Sequence, residues 1–259
     1  MATLVYQLDA LASGSLWAND GKTTPASDGG VVAVWSPNAS CSVTTDAIQT
    51  SNTKRPLYRA NYSSSGYPAI EFDGSNDELQ CAHSASFSAS IYDVFMVMTP
   101  VAVGSGDKLI MAKFTNSSWN DGINVSHIGN SLRAGAPGYN ELVATNGFTN
   151  GVKTMMHSKL KVNLRSLFSI QSNNQIIPVV NTGATAVSTT STAALCFGGS
   201  TPAAGYYSNI AHHEIRIYTG ELTLDERLTT LSTLAAKWGL MTAASGGIPI
   251  ARGMHGGMR

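Results

Sequence analysis

Hydrophobic and polar positions alternate along much of this chain, in short runs separated by Gly, Ser, Asn and Asp. The clearest run lies at residues 67–79, YPAIEFDGSNDEL, and places Pro68, Ile70 and Phe72 on one face. Alternation with a period of two is typical of a half-buried strand. The polar residues 73–77 accept turn geometry and can hydrogen-bond their own backbone. This stretch therefore predicts a strand followed by a tight turn.

Further apolar runs predict strands on both sides of this stretch, at residues 4–10, 31–35, 92–99, 108–114 and 152–162. The run at 92–99, YDVFMVMT, is apolar on both faces, which indicates a central strand that is covered on two sides. Gly, Asn and Asp predict turns at residues 120–122 and 173–174, and Pro137 predicts a loop at residues 135–139.

One amphipathic helix is predicted near the C-terminus. Thr223 and Glu226 have the spacing of a capping box, in which each side chain bonds the other residue's backbone N–H. Apolar residues then recur at helical spacing, namely Leu224, Leu228, Leu231, Ala235 and Trp238. Gly239 is expected to end the helix in a left-handed conformation. Trp238 is interpreted as a packing residue rather than a ligand-stacking one.

These elements predict the fold class: all-β, a two-sheet antiparallel β-sandwich of the jelly-roll type with one C-terminal helix and an extended tail. A chain of 259 residues is long enough to bury a full core in one domain. We expect the sandwich to occupy residues 1–240 and a flexible C-terminal arm to occupy residues 241–259.

Charge and cysteine content narrow the classes of function. Lys plus Arg and Asp plus Glu number 16 each, and only 12% of residues are charged, which gives no nucleic-acid footprint and no basic membrane-binding patch. Cys41, Cys81 and Cys196 lie far apart without a C-x-x-C pair, which predicts buried free thiols. The opening MATLVYQLDA lacks a charged segment followed by an apolar one, so we expect synthesis and assembly in a cytoplasm.

Three blocks of the sequence resemble one family. They are RPLY at residues 55–58, YPAIEFDGSNDEL at residues 67–79, and HHEIRIYTGELTLDERLTTLSTLAAKWGL at residues 212–240. Together they resemble concanavalin A-like, laminin-G-like β-sandwich domains, over residues 8–240. The resemblance implies the jelly-roll fold and a packing role for Trp35. Domains of this kind occur among structural proteins of tailed bacteriophages, a likeness of fold that does not by itself carry function.

Carboxylates in the predicted strand at residues 67–72 and its turn raise the question of glycoside hydrolysis, because many proteins of this superfamily are glucanases. Glucanases carry E-x-D-x-x-E on the active strand, where two carboxylates flank the scissile bond. Glu71 and Asp73 satisfy E-x-D, but the turn that follows removes a third carboxylate from the strand. Glu214 is accompanied by Arg216 where an acidic partner is needed. We predict no catalytic residues and no enzyme activity.

Calcium is an alternative function for the same turn. Asp73, Asn76 and Asp77 offer the oxygen ligands that a hard cation prefers, although their spacing does not match an EF-hand loop. The competing interpretation is a turn closed by side-chain bonds to the backbone. No cofactor is predicted, with calcium at this turn as the alternative. His212 and His213 are adjacent in a predicted strand and cannot share one metal, and we expect one to be packed and the other solvated.

Aromatic residues in predicted loops suggest glycan binding, because sugar C–H faces stack on rings and polar neighbours supply hydrogen bonds. The candidate residues are Trp119, Asn120, Tyr139, Tyr206 and Tyr207. The alternative is that these rings seal the bases of loops, and the sequence leaves both interpretations open.

The arm at residues 241–259 mixes glycines with apolar and basic residues, which suits a segment that orders against a partner. Its candidate docking residues are Ile248, Ile250, Arg252, Met254, Met258 and Arg259.

The cytoplasmic start, the sandwich without catalytic residues and the arm lead to a hypothesis about function. We expect a non-enzymatic virion structural protein of a bacteriophage, a capsid decoration or accessory protein that contacts other virion proteins and forms homo-oligomers on the particle. One alternative is a carbohydrate-binding receptor-recognition module of a phage tail or fibre, which contacts a host cell-surface glycan, and a second alternative is a glycan hydrolase. No contact with nucleic acid or membrane is expected.

Overall fold

A computed structural model describes residues 2–62, 66–115, 123–136, 139–161, 164–171, 176–181, 191–200 and 205–240. These residues form β1 (Thr3–Asp9), β2 (Leu16–Trp17), β3 (Val34–Trp35), β4 (Ala47–Ile48), β5 (Leu57–Tyr62), β6 (Tyr67–Asp73), β7 (Leu79–Cys81), β8 (Ile91–Ala102), β9 (Asp107–Lys113), β10 (Ile123–Ile128), β11 (Ser131–Ala136), β12 (Tyr139–Ala144), β13 (Thr154–Lys161), β14 (Leu164–Gln171), β15 (Ile176–Asn181), β16 (Leu195–Phe197), β17 (Asn209–Thr219) and the helix α1 (Leu224–Lys237). Two short 3-10 turns lie at Asn52–Lys54 and Ala85–Phe87.

The strands pair into two antiparallel sheets. The first sheet has eight strands in the order β15-β14-β13-β8-β17-β6-β5, with β1 also paired to β17. The second sheet has nine strands in the order β12-β11-β10-β9-β16-β7-β4-β3-β2. The predicted fold class, an all-β two-sheet sandwich with one C-terminal helix, is confirmed.

The main core lies between the two sheets. Ile70 and Phe72 of β6 are fully buried in it, on the face that the period of two predicts. Trp35 is also fully buried there, so the packing role expected for it is confirmed. Cys41, Cys81 and Cys196 are buried free thiols, as predicted.

Strand β8 is covered on both faces, which confirms its prediction as a central strand. Its residues Val94 and Met96 point into the main core. The alternate residues Phe95 and Val97 pack in a second cluster with residues of α1. The helix therefore covers the outer face of the eight-stranded sheet.

Helix α1 has the predicted capping box and C-terminal end. The Thr223 hydroxyl accepts a hydrogen bond from Glu226 N, and the Glu226 carboxylate accepts one from Thr223 N. Gly239 has a φ of +63°, and a Cβ there would lie 2.8 Å from the Tyr67 hydroxyl. Trp238 is fully buried under the helix, which confirms its packing role. No helix among the described residues is long and apolar enough to cross a membrane.

Two predictions about the strands need correction. The predicted loop at residues 135–139 is mostly strand, since β11 extends to Ala136 and β12 begins at Tyr139. His212 and His213 are both fully buried, where one was expected to be solvated. A β-bulge between His212 and Glu214 shifts the register against β8. His212 packs edge-on against Phe72 of the core.

His213 lies on the other side of β17 from His212, beneath the helix. Its Nδ1 lies 2.8 Å from the carbonyl oxygen of Pro68 and its Nε2 lies 3.0 Å from the Thr99 hydroxyl. Its ring centroid is 5.3 Å from that of Trp238. The two histidines therefore do point to opposite faces, but packed layers cover both faces.

Candidate functional site: a groove on the nine-stranded sheet

The outer face of the nine-stranded sheet carries a row of side chains that runs from strand to strand. Gln80 of β7 is opposite Cys196 of β16. Cys196 is also opposite Ala112 of β9, which in turn is opposite Asn124 of β10. Residues directly opposite each other in a sheet point to the same face. Because Cys and Ala are small, the middle of the row forms a low floor between two amide side chains.

The neighbours of this row show which face it occupies. Met111 and Val125 lie next to Ala112 and Asn124 along the chain and belong to the core between the sheets. Successive residues of a strand point to opposite faces, so Ala112 and Asn124 point away from that core. The row therefore lies on the face opposite the one that packs against the first sheet.

A groove of about 310 Å³ lies at the end of the row that contains Gln80 and Cys196. Its hydrogen-bonding residues are Gln80, Thr115, Thr192 and Ser200. Its other walls are the Phe114 ring, the Cys196 thiol and the two alanines that follow Thr192. The described lining thus combines apolar surface with neutral amide and hydroxyl groups, the combination found in binding sites for small polar molecules.

Packing holds both walls of the groove in place. Phe114 is buried and packs with Leu109 and Ala112 in a cluster that is separate from the main core. On the other side, the ammonium of buried Lys113 donates to the carbonyl oxygen of Ser191, which fixes the start of the segment that leads into β16. Buried residues therefore anchor both walls, while Thr115 and Thr192 of the lining are exposed.

Asn124 is a polar side chain of the row whose amide group lacks hydrogen bonds within the part of the chain that the structure describes. It is fully buried, and among the described residues neither its amide oxygen nor its amide nitrogen has a hydrogen-bond partner. Buried polar groups in native structures are nearly always paired. Its amide lies one strand beyond Ala112, at the far side of the floor from Gln80.

The predicted glycan-binding residues have different positions in the structure. Tyr206 is 39% exposed, whereas Tyr207 is buried against Gly199, next to Ser200 of the groove. Tyr207 also forms an isolated β-bridge with Leu109, whose side chain packs with Phe114 and Ala112. Tyr139 is the first residue of β12 rather than part of a loop. Trp119 and Asn120 lie outside the described residues.

Sequence reasoning missed the residues that form the groove, among them Gln80, Thr115, Thr192 and Ser200. These are small or uncharged residues without a recognisable motif. One signal for this site was available in the sequence, the large Phe114 ring at the end of β9. A large ring on the outer face of a sheet indicates a surface that is covered by other residues or that binds a ligand.

The turn after β6 uses the Asp73 carboxylate internally. Asp73 Oδ1 accepts hydrogen bonds from the backbone N–H groups of Ser75, Asn76 and Asp77, at 2.7, 3.1 and 3.3 Å. Asp77 Oδ2 accepts one from Asp73 N at 3.0 Å. Gly74 has a φ of +76°, and a Cβ there would come within 2.8 Å of Asn209. Within the described residues, no group of three His, Cys, Asp or Glu side chains is arranged to hold a metal ion.

We expect Asp73→Ala to cost about 1 kcal/mol of folding free energy, because three backbone N–H groups lose their acceptor near the surface. Denaturant titration would measure the loss. Asn76→Ala is the matched control, since Asn76 joins this turn through its backbone N–H, and it should cost less. A chelator that lowers the melting temperature of the wild type but not of Asp73→Ala would favour calcium binding instead.

The carboxylates considered for hydrolysis are separated and engaged in the structure. Glu71 forms an ion pair with Arg59. Glu214 is buried under α1, where it accepts four hydrogen bonds from residues of the sandwich and the helix. The described residues that line the groove include no carboxylate. The docking residues of the C-terminal arm lie outside the described residues, and their role stays a prediction.

Comparison with known proteins supports the fold. Neither a protein-family model nor a curated protein sequence matches this chain. Trypanosoma rangeli sialidase in complex with sialic acid matches with a TM-score of 0.59 and 16% identity, over 89% of this chain and 33% of the sialidase chain. An arabinofuranosidase complexed with arabinofuranosyl-alpha-1,2-xylobiose matches with a TM-score of 0.58 and 8% identity, over 91% of this chain and 59% of the other.

These proteins share the β-sandwich with our chain. At this level of identity the likeness shows the fold alone, and the chain spans about a third of the length of the sialidase chains it matches.

The expected function as a bacteriophage virion protein is wrong on these comparisons. Proteins of similar fold include sialidases and an arabinofuranosidase. The earlier hypothesis rested on an analogy between folds, and a sandwich of this kind serves many functions.

Proposed function

We propose that this chain is a carbohydrate-binding β-sandwich domain that holds a saccharide in the groove of the nine-stranded sheet without hydrolysing it. The observation that carries the proposal is the groove itself, whose described lining includes Gln80, Phe114 and Thr115. Sugars present both C–H faces, which pack on rings, and hydroxyls, which exchange hydrogen bonds with amides and hydroxyls. The sugar complexes of the fold neighbours support this ligand class.

The proposal excludes hydrolysis because of where the carboxylates lie. Most retaining and inverting glycosidases use two carboxyl groups that face the sugar from opposite sides of the scissile bond, and sialidases, which use a tyrosine nucleophile, are an exception. In this chain Asp73 closes a turn and Glu214 is buried beneath the helix. Neither belongs to the described lining of the groove.

Binding to a panel of oligosaccharides tests the proposal, with calorimetry as the measurement. The panel should include the arabinofuranosyl-xylobiose and sialic acid bound by the fold neighbours. We expect Ala193→Trp, which fills the groove, and Gln80→Leu, which removes its amide, each to weaken binding about ten-fold or more, equivalent to about 1.4 kcal/mol. Val143→Thr is the control, because Val143 is exposed near the edge of the same sheet.

Two outcomes would contradict the proposal. Saccharide binding that is unaffected by Ala193→Trp would place the site elsewhere on the chain. Release of reducing ends from a member of the panel, lost in Glu71→Gln, would establish the chain as a glycoside hydrolase.

A further inference from the structure

Five of the eight described residues that line the groove come from an uncharged stretch of the chain. Between Arg165 and His212 the sequence contains no Asp, Glu, Lys, Arg or His. This stretch supplies Thr192, Cys196, Ser200 and the two alanines to the groove. The other described lining residues, Gln80, Phe114 and Thr115, are also uncharged. Every described group that faces the groove is therefore an amide, a hydroxyl, a thiol, a methyl group or a ring.

Two cations, Lys113 and Arg133, lie on strand positions near the groove. The Lys113 ammonium donates to the carbonyl oxygen of Ser191, behind the wall of the groove. Arg133 lies on the same sheet face as the groove, two strands from Ala112. Burial raises the pKa of the Asp107 carboxyl, and the positive charge of the nearby Arg133 opposes that rise. Neither cation is positioned among the described lining residues.

We infer that the groove selects uncharged saccharides over acidic ones such as sialic acid, an inference that rests on the proposed carbohydrate-binding function. A neutral sugar exchanges its hydroxyl–water hydrogen bonds for bonds with Gln80, Thr115 and Ser200. A sugar carboxylate in the same place loses its hydration without gaining a cation, and moving a charge out of water without a partner is costly.

Thr192 gives a direct way to test this selectivity. It is an exposed residue on the rim of the groove, so a change of charge there should leave the fold intact. The comparison uses Thr192→Lys, Thr192→Glu and the neutral control Thr192→Gln. Each is titrated with lactose and sialyllactose, which share a neutral core, and with neutral arabino- and xylo-oligosaccharides beside galacturonic-acid oligomers.

We expect wild type to bind the neutral members of the panel at least about ten-fold more tightly than the acidic ones. Binding of the neutral members should change little from about 0.05 to 0.5 M salt, because no ion pair is screened. Thr192→Lys should reduce the difference in affinity between neutral and acidic ligands, and Thr192→Glu should increase it. Thr192→Gln should leave this difference in affinity unchanged.

Failure of the selectivity and failure of the proposed function would give different results. Acidic saccharides that bind as tightly as neutral ones, and that Ala193→Trp displaces, would overturn the selectivity while leaving the groove as the carbohydrate site. A panel in which no saccharide of either kind binds would refute the proposed function, and this inference with it.

Discussion

We expect Glu214→Gln to lower the free energy of unfolding by on the order of 3 kcal/mol, although it replaces one oxygen by an amide nitrogen. Glu214 Oε1 accepts hydrogen bonds from Gln7 Nε2 and Arg216 Nε, both at 2.7 Å. Its Oε2 accepts bonds from Lys237 Nζ at 2.6 Å and Trp238 Nε1 at 2.8 Å. The carboxylate thus joins β1, β17 and the end of α1 at one buried point.

The expected loss follows from the charge of this carboxylate. Burial alone raises the pKa of Glu214, but the neighbouring Arg216 and Lys237 outweigh it and hold the pKa below its usual value. A glutamine would turn an NH₂ group toward one pair of donors and would leave two cations with less compensation. Breaking a buried ion pair by removing one partner costs several kcal/mol, whereas exposed pairs contribute about 1 kcal/mol or less.

Denaturant titration of wild type and Glu214→Gln measures the loss, with Glu221→Gln as the matched control. Glu221 also contacts two cations, Lys159 and Lys161, but its side chain is 44% exposed. We expect the control to change the free energy of unfolding by about 1 kcal/mol or less. If both variants lose the same small amount, the Glu214 cluster does not hold the helix on the sandwich.

Local sequence signals predicted the two ends of helix α1 but not the residues that its last turn contacts. Thr223, Glu226 and Gly239 predicted its start and end, because capping depends on residues within one turn of the terminus. The partner of its last turn could not be predicted in the same way. Gln7 and Glu214, which meet beside that turn, are 207 positions apart in the chain. Only the assembled sheet brings them together.

The groove escaped sequence reasoning for a related physical reason. A β-bulge in the pairing of β9 with β10 inserts Ile110, so Ile110 and Met111 both point into the core. A period of two then fails across the bulge and misplaces every residue on one side of it. The outward row from Gln80 to Asn124 also depends on which strands pair, which no local pattern specifies.

The family resemblance predicted the fold but misled on function. Its matched blocks lie mainly in β6, β17 and α1, which are core and capping elements. The groove is built from other segments, at the ends of β9 and β16. A resemblance carried by packing residues constrains packing, whereas the proposed site lies on the outer face of the other sheet.

We expect acid to destabilise this protein at pH values well above those at which carboxylates ordinarily titrate. Burial is the largest cause that lowers the pKa of three histidines, to about 4 for His127, about 3 for His212 and about 4 for His213. In the unfolded chain these side chains take up protons near pH 6.5. The unfolded state therefore binds more protons than the folded state as the pH falls from about 6.5 to about 4, and the free energy of unfolding decreases across that window.

Asp77 acts in the opposite direction. Burial raises the pKa of its carboxyl to about 7, against an ordinary value of 3.8, so the folded state takes up this proton first. Its contribution to the free energy of unfolding increases as the pH falls from about 7 to about 4. Each group changes the free energy by about 1.4 kcal/mol per pH unit within its window, and three histidines outweigh one aspartate. We expect a net loss on the order of 3 kcal/mol between about pH 7 and pH 5.

Denaturant titrations at several pH values would measure this loss, and two variants would assign it. His212→Leu removes one buried histidine. Between about pH 7 and pH 5, the free energy of unfolding of this variant should fall by about 2 kcal/mol less than that of wild type. His83→Gln is the control, because His83 is exposed, and it should keep the wild-type pH dependence. A His212→Leu variant with the pH dependence of wild type would show that His212 does not cause the acid sensitivity, since a ring with the same pKa in the folded and unfolded states contributes no slope.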